Sequence, residues 1–249
     1  MKLTNKHFAI FACAILSTFV MARYTLSAPE SKHPAPRLQR IQKILIIGNS
    51  LTRHGPSTKK LGWTHDFGMA ATKEENDYVH QLYSKICAVQ EPAGRKPELK
   101  VMSMIATNIK TPPEAVQYAA DYIVLQMGDN LPAAKATKEN FVEPYIQLVN
   151  ALKKARPDAM IFITSLWGGE AKRNDFVQEV CSATGSTFVD LRPIAKDPKN
   201  RAASENVYQN PGVRWHPGDR GMKAIADTIW QETLKAQKAN PPENIIRNQ

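Results

Sequence analysis

From Lys43 onward the chain alternates between short apolar runs and stretches with a helical apolar period. Ile44-Leu45-Ile46-Ile47 is a continuous, mostly β-branched run closed by Gly48, the pattern of a buried strand. Tyr78, Val79, Leu82, Tyr83 and Ile86 recur at helical spacing and predict a helix over 75–89. Leu99 to Ile105 predicts a second strand, and Pro112-Pro113 opens a short helix, because proline is tolerated in a first turn. Tyr122 to Met127 predicts a third strand. Phe141, Tyr145, Leu148, Val149 and Leu152 line a helix that ends near Arg156-Pro157. Met160 to Thr164 predicts a fourth strand, a helix around Phe176-Val177 closes at Gly185, and Thr187 to Leu191 predicts a fifth strand. Met222, Ile225, Ile229, Trp230 and Leu234 give a long amphipathic helix near the C-terminus.

Five strands separated by helices require crossover connections, which generate a parallel sheet covered on both faces. Continuous apolar strands fit that double burial better than alternating ones. With no internal repeat and no second composition zone, one α/β domain is expected over 43–240, followed by a C-terminal tail, 241–249. Ligands of such sheets bind outside the carboxyl ends of the strands, so the chemistry is sought there.

Charge changes the picture mainly at the N-terminus. The chain carries a formal +10, but Lys2, Lys6, Arg23, Lys32, Arg37, Arg40 and Lys43 stand against Glu30 alone in residues 1–43. Six of the ten net charges therefore lie there. The body keeps +4, alternating in sign, with no Lys/Arg block and no basic-aromatic stretch for nucleic acid. Lys2 and Lys6 precede an uncharged run from Phe8 to Ala22, ending in small residues around Val20-Met21-Ala22. This resembles a signal peptide, and the run is short for a membrane span. Residues 1–22 are thus expected to be a signal peptide or an N-terminal anchor, with 23–42 a linker rich in proline and charge. The expected location is periplasmic or extracellular, with anchoring through residues 8–22 as the variant. The five positive charges after the run oppose simple export. Three cysteines exclude a disulfide scaffold, and Cys87 and Cys181 are left either to pair or to stay as thiols.

The strand ends carry a hydroxyl, a carboxamide and an imidazole. Gly48-Asn49-Ser50 follows strand one, Gly128-Asp129-Asn130 follows strand three, Ser165 to Gly169 follows strand four, and His216-Pro217-Gly218-Asp219 precedes the last helix. A nucleophile, an oxyanion donor and a base are the minimum set for acyl transfer. Ser50 is expected on a sharp strand-to-helix turn near the positive end of a helix dipole, where Ser50 or Asn49 can instead serve as a cap. Gly48 to Gly55 satisfies neither the dinucleotide nor the P-loop pattern. His54 and His65 are too isolated to make a metal site. Asp219 stands where a helix N-cap belongs, and Asp190 reads as a structural turn residue.

Together, ILIIGNSLT over 44–52, Gly128-Asp129-Asn130 and the H-P-G-D-R-G-M run over 216–222 resemble the GDSL/SGNH hydrolase superfamily. Gly62 to Thr72 (GWTHDFGMAAT) is similar to a segment of some exported relatives. The resemblance implies a flavodoxin-like, three-layer α/β/α sandwich on a five-stranded parallel sheet, and a serine esterase without metal or organic cofactor. It assigns Ser50 as nucleophile, His216 as base, and an oxyanion hole formed by the Ser50 backbone N–H and the Asn130 side chain. Three departures stand out. Val213 occupies the position, three before His216, where the family places aspartate. Three arrangements answer that loss: a Ser50–His216 dyad with a backbone carbonyl on the far ring nitrogen, an acid from elsewhere such as Glu205, or no catalysis. The glycine after strand two is absent from Ser103 to Ile109, which leaves Ala106, Thr107 or Asn108 to offer an N–H. Asn49 and Leu131 replace commoner aspartates.

The expected substrate is an acyl ester, narrowly an acetyl ester on a carbohydrate, with Trp63 and Trp167 as candidate faces for a sugar ring. A non-catalytic glycan-binding or assembly protein and an acyltransferase are the alternatives. Oligomeric state is not legible in the sequence.

Overall fold

The computed structural model describes residues 37–104 and 108–239. The leader-like segment, most of the expected linker and the tail lie outside the described residues. Each strand of the sequence pattern forms: β1 (Lys43–Gly48), β2 (Glu98–Ser103), β3 (Tyr122–Gln126), β4 (Met160–Thr164) and β5 (Thr187–Val189). All pair in parallel, in the order β2-β1-β3-β4-β5. This is the flavodoxin-like order, and its switch point lies between β1 and β3.

The period-2 geometry of a strand sorts the apolar run into two faces. Ile44 and Ile46 of β1 join Tyr122, Val124 and Phe162 in one core cluster; Leu45 and Ile47 join Ile123, Leu125, Ile161 and Ile163 in the other. The short α1 (Thr58–Leu61) lies in the loop after β1. The first cluster is closed by α2 (Tyr78–Gln90), through Tyr78, Val79, Leu82 and Ile86. The second is closed by α3 (Pro113–Tyr118), α4 (Glu143–Ala155) and α5 (Ala171–Thr184). After β5 come α6 (Arg192–Lys196), α7 (Pro211–Arg214) and α8 (Asp219–Ala239). Met222, Ile225, Ala226 and Ile229 of α8 complete the first cluster. The result is three layers, helices on both faces of one parallel sheet.

Local chemistry sets several boundaries. The helix expected from 75 starts at Tyr78, because the Asp77 carboxylate accepts the His80 N–H and fixes the N-cap there. Gly185 ends α5 with φ +62, a conformation glycine adopts at low cost. The linker boundary at 42 is corrected. Arg37–Arg40 forms a 3-10 turn, and Leu38 and Ile41 are buried in the first core cluster. Gln90 of α2 donates through Nε2 to the carbonyls of Leu38 and Ile41, which ties this segment to the domain. Cys87 and Cys181 are both free thiols; burial pushes Cys181 up to about 12. Among the described residues no helix is long and apolar enough to cross a membrane.

The strand-to-loop exit at β1 tolerates no side chain at Gly48. A Cβ there would overlap Thr52 Oγ1 and press on the Gln126 carbonyl of β3. Gly48→Ala is therefore expected to lower stability by about 1–3 kcal/mol, the usual cost of overpacking. Thermal unfolding followed by circular dichroism reads this as a fall in Tm of roughly 2–4 °C per kcal/mol.

Candidate active site

Asn49 organises the β1 exit. Its backbone N–H donates to the Gln126 carbonyl at 3.0 Å, and its Oδ1 accepts from the Leu51 N–H at 3.1 Å. Its own carbonyl receives the N–H groups of Thr52 and Arg53 at 2.9 and 3.1 Å. The expected helix does not follow: residues 50–52 form a turn, and α1 begins only at Thr58. Ser50 therefore does not sit at the positive end of a helix dipole, contrary to expectation. Local capping is performed by Asn49, which leaves the Ser50 hydroxyl available.

That hydroxyl meets His216. Ser50 Oγ and His216 Nε2 lie 2.7 Å apart, and the two residues are 7% and 8% exposed. His216 Nδ1 lies 2.7 Å from the Gly212 carbonyl oxygen. A carbonyl only accepts, so Nδ1 carries the ring hydrogen and Nε2 presents its lone pair to the serine hydroxyl. The geometry of α7 makes this contact. Asn210 caps the helix by accepting the Gly212 N–H, and the Trp215 N–H returns to the Pro211 carbonyl. The His216 N–H turns to the Val213 carbonyl instead of continuing the α pattern to Gly212. The Gly212 oxygen is thereby left for the imidazole. Burial pushes His216 down to about 4, and nearby His54 adds to the fall; the hydrogen bonds to Gly212 and Val213 oppose it.

Val213 itself is 1% exposed and packs with Trp63, Met69, Ala70 and Ala202. Of the three arrangements weighed for the missing acid, the one with a backbone carbonyl on the far nitrogen is formed. Glu205 makes no hydrogen bond to His216. Its two oxygens accept the N–H groups of Asp219 and Arg220 at 3.1 Å each, at the start of α8. The expected cap at Asp219 is corrected accordingly. Gly218 precedes it with no side chain to offer, and a Cβ there would overlap the Glu205 carboxyl, so Glu205 supplies the cap from outside the helix. Asp219 faces away and accepts from the Thr72 N–H and hydroxyl and from Asn76 Nδ2, which pins the end of the Gly62 to Thr72 segment. Asp190 is held by Arg192, a local turn contact.

Asn130 lies exposed in the turn after β3, beside Asp129. Asp129 in turn accepts from Asn49 Nδ2 at 3.0 Å, so Asn130 is one residue from the partner of the residue before Ser50. Arg173 of α5, buried and out of reach of sequence reasoning, holds this turn: Nη1 donates to the carbonyls of Gly128, Asp129 and Leu131 at 3.2, 3.4 and 2.6 Å. Residues 105–107 lie outside the described residues, and with them two of the three positions considered for a further N–H donor. Asn108 is exposed.

The three-layer fold has counterparts among solved structures. The family 3 carbohydrate esterase of Clostridium thermocellum superposes with a TM-score of 0.53 at 16% identity, over 80% of this chain and 98% of that one. A GDSL-like lipase of Parabacteroides merdae gives 0.53 at 16% identity, over 78% and 97%. Esterase EstA of a Pseudoalteromonas species gives 0.51 at 14% identity, over 79% and 99%. The chain has the SGNH hydrolase fold. No family model matches it, and no curated protein matches it in sequence.

Within this SGNH framework the aromatic expectations are redistributed. Trp63 and Trp167 are buried, with their indole N–H groups on the carbonyls of His54 and Trp215. Trp215, next to His216, is the exposed tryptophan at 36%. It lies against Gly168, with the Arg201 guanidinium 5.6 Å from its ring centre. His54 donates through Nδ1 to the Gly55 carbonyl, and His65 stacks on Phe67. Among the described residues no group of three His, Cys, Asp or Glu side chains gathers to hold a metal ion.

Glu205→Ala removes a carboxylate cap from α8 and is expected to cost about 1–2 kcal/mol in urea unfolding. An acid paired with His216 would behave differently, since its loss would also lower turnover by up to about 10⁴-fold. His216 titrates near 4 when folded and near 6.5 when unfolded. The unfolded chain therefore binds the extra proton between those values. The contribution is complete above about 6.5 and is lost as pH falls towards 4. From pH 7.5 to pH 5 the wild type is expected to lose about 2 kcal/mol more than His216→Gln, read from urea unfolding at the two pH values.

Proposed function

We propose that this protein is a serine ester hydrolase that uses a Ser50–His216 dyad. The observation that carries the proposal is the 2.7 Å contact between Ser50 Oγ and His216 Nε2, with Nδ1 engaged by the Gly212 carbonyl. Ser50 attacks the ester carbonyl as Nε2 takes its proton. The oxyanion forms against the Ser50 backbone N–H and the Asn130 carboxamide. His216 returns the proton to the leaving alcohol, and the acyl-serine is then hydrolysed by a water that His216 deprotonates. Gly212 keeps the ring in the one tautomer that can begin this cycle and accepts from the Nδ1–H throughout.

The proposed substrate is an acetyl or other short acyl ester on a carbohydrate. The exposed Trp215 face beside His216 supports it, since an indole offers an apolar plane to a sugar ring. The carbohydrate-esterase identity of one structural neighbour points the same way. Export by the leader-like residues 1–22 would bring the enzyme to such a substrate outside the cytoplasm. The apolar setting of Val213 is the observation that favours the other reading, a glycan-binding protein without turnover.

Two measurements separate them. A fluorophosphonate should label the folded wild type at Ser50, and Ser50→Ala should lose labelling and reduce turnover of a short acyl ester by about 10³-fold or more. Turnover unchanged in Ser50→Ala overturns the mechanism, and saturable glycan binding by an unlabelled wild type favours the binder. Because His216 must be unprotonated to act, kcat/KM should rise with pH through about 4 and level off in the neutral range.

A further inference from the structure

The Asp129 carboxylate stands where three loops meet. Oδ2 accepts from Asn49 Nδ2 at 3.0 Å and from Gln126 Nε2 at 2.9 Å, and Oδ1 accepts from the Gly168 N–H at 3.0 Å. One side chain thus joins the exit of β1, the end of β3 and the exit of β4. Burial raises its affinity for a proton above the ordinary carboxylate value, and the donors from Gly168, Asn49 and Gln126, with the nearby Arg173 charge, offset that only in part.

The direction of these bonds matters. A carboxylate only accepts, so it forces the amide of Asn49 to turn its NH2 towards Asp129 and its oxygen towards the Leu51 N–H. Asn49 and Leu51 are the two neighbours of Ser50. The orientation of one amide therefore sets the backbone on both sides of the nucleophile. The same carboxylate orients Gln126, whose Oε1 is left buried with no partner among the described residues. A buried orphan acceptor costs free energy. The Gln126 Nε2 group is committed to Asp129 as its second amide donor. Asp129 also adjoins Asn130, so the group that fixes the nucleophile turn also carries the oxyanion donor.

We propose that Asp129 is a positioning residue for the reaction, acting through Asn49 on Ser50 and through its own backbone on Asn130. This rests on the esterase reading given above. Donor-acceptor complementarity gives it a specific test. In Asp129→Asn, the new NH2 faces that of Asn49, and either amide can turn only by losing Gly168 or Leu51. In Asn49→Asp, two carboxylates face each other. In the double variant Asn49→Asp/Asp129→Asn the pairing is rebuilt with the charge exchanged. The carboxylate at position 49 would then accept from the Leu51 N–H and from the amide at position 129. The oxygen of that amide would accept from the Gly168 N–H. A turned Gln126 amide would give its orphan oxygen a donor.

The experiment measures kcat, KM, Ser50 labelling rate and Tm for the wild type, both single variants and the double. Each single variant is expected to lose roughly tenfold to a hundredfold in kcat, the scale of a small misplacement of reacting groups, with KM changed by less than about threefold. The double variant is expected to recover to within about threefold of the wild type, the mark of a pairwise interaction rather than two separate defects. A wild-type kcat in Asp129→Asn overturns the inference, as does a double variant that is no faster than the slower single one. Should Asp129→Asn fail to fold, the double variant decides: folded and active supports the exchange, and unfolded or inactive overturns it. A wild type that neither turns over ester nor is labelled sinks the esterase reading itself, a result distinct from an active wild type indifferent at position 129.

Discussion

The hydrogen bond from His216 Nδ1 to the Gly212 carbonyl governs the chemistry this rim can perform. An imidazole beside a serine is a base only if its near nitrogen is unprotonated and its ring is held. A carboxylate ordinarily does both and adds a full negative charge. Here the work falls to a peptide oxygen, released because the His216 N–H bonds to Val213 and α7 ends after one turn. The oxygen is as good as a carboxylate for choosing the tautomer and is weaker for stabilising the imidazolium. The surroundings reinforce that difference. Val213 faces Trp63, Met69 and Ala70, so a charge at that position would be buried against apolar walls without a partner.

The remainder of the rim is built around keeping polar groups satisfied at the carboxyl ends of a fully buried sheet. Parallel strands end in loops that must meet one another, and each loop brings backbone N–H and C=O groups out of the ladder. Asp129 collects donors from the exits of β1 and β4 and from the end of β3, and Arg173 collects three carbonyls from one loop. An anion for two side-chain amides and one backbone N–H, and a cation for the C=O groups, together hold this turn. Glu205 plays the same part for the first N–H groups of α8, and Asp219 for the loop at Thr72. The side chains that hold the site together are thus mostly charged groups engaged with backbone, and the groups placed for chemistry are left with few competing partners.

What the sequence disclosed and what it concealed divide along the same line. The five strands were legible because burial on both faces demands unbroken apolar runs such as Ile44 to Ile47 and Met160 to Thr164. Ser50 and His216 could be singled out because one follows β1 and the other precedes the last helix in a recognisable order, and a 2.7 Å contact joins them. The errors arose where one side chain could be replaced by another across the fold. Asp219 has the identity and position of a cap, but Glu205 holds that place, and only the missing Cβ of Gly218 hinted at room for it. The helix expected after β1 is a single turn over residues 50–52, and α1 begins only at Thr58. Residues 37–42 looked like linker because Leu38 and Ile41 are too few to show a period, yet both are buried. The Gly212 contact was open to inference only as a type, since any residue carries the carbonyl that makes it.

The low proton affinity of His216 has two opposed effects on a dyad of this kind. Burial that brings it to about 4 keeps the lone pair on Nε2 free across the neutral range, as the proposed base requires. The same burial makes the imidazolium costly, and a base far below working pH accepts a proton with less driving force than one matched to it. The compensation must come from charge that appears at the same instant. In the proposed reaction, attack by Ser50 would create a negative oxyanion beside the positive ring. In a site screened from water such a pair attracts far more strongly than it would in solution. Burial therefore penalises the protonated histidine in the resting protein, where it stands alone, and much less in the transition state, where it is paired. An interaction that strengthens only as the transition state forms is the kind that accelerates a reaction. Under the proposed mechanism, this pairing of charges is what a dyad without a buried acid would rely on.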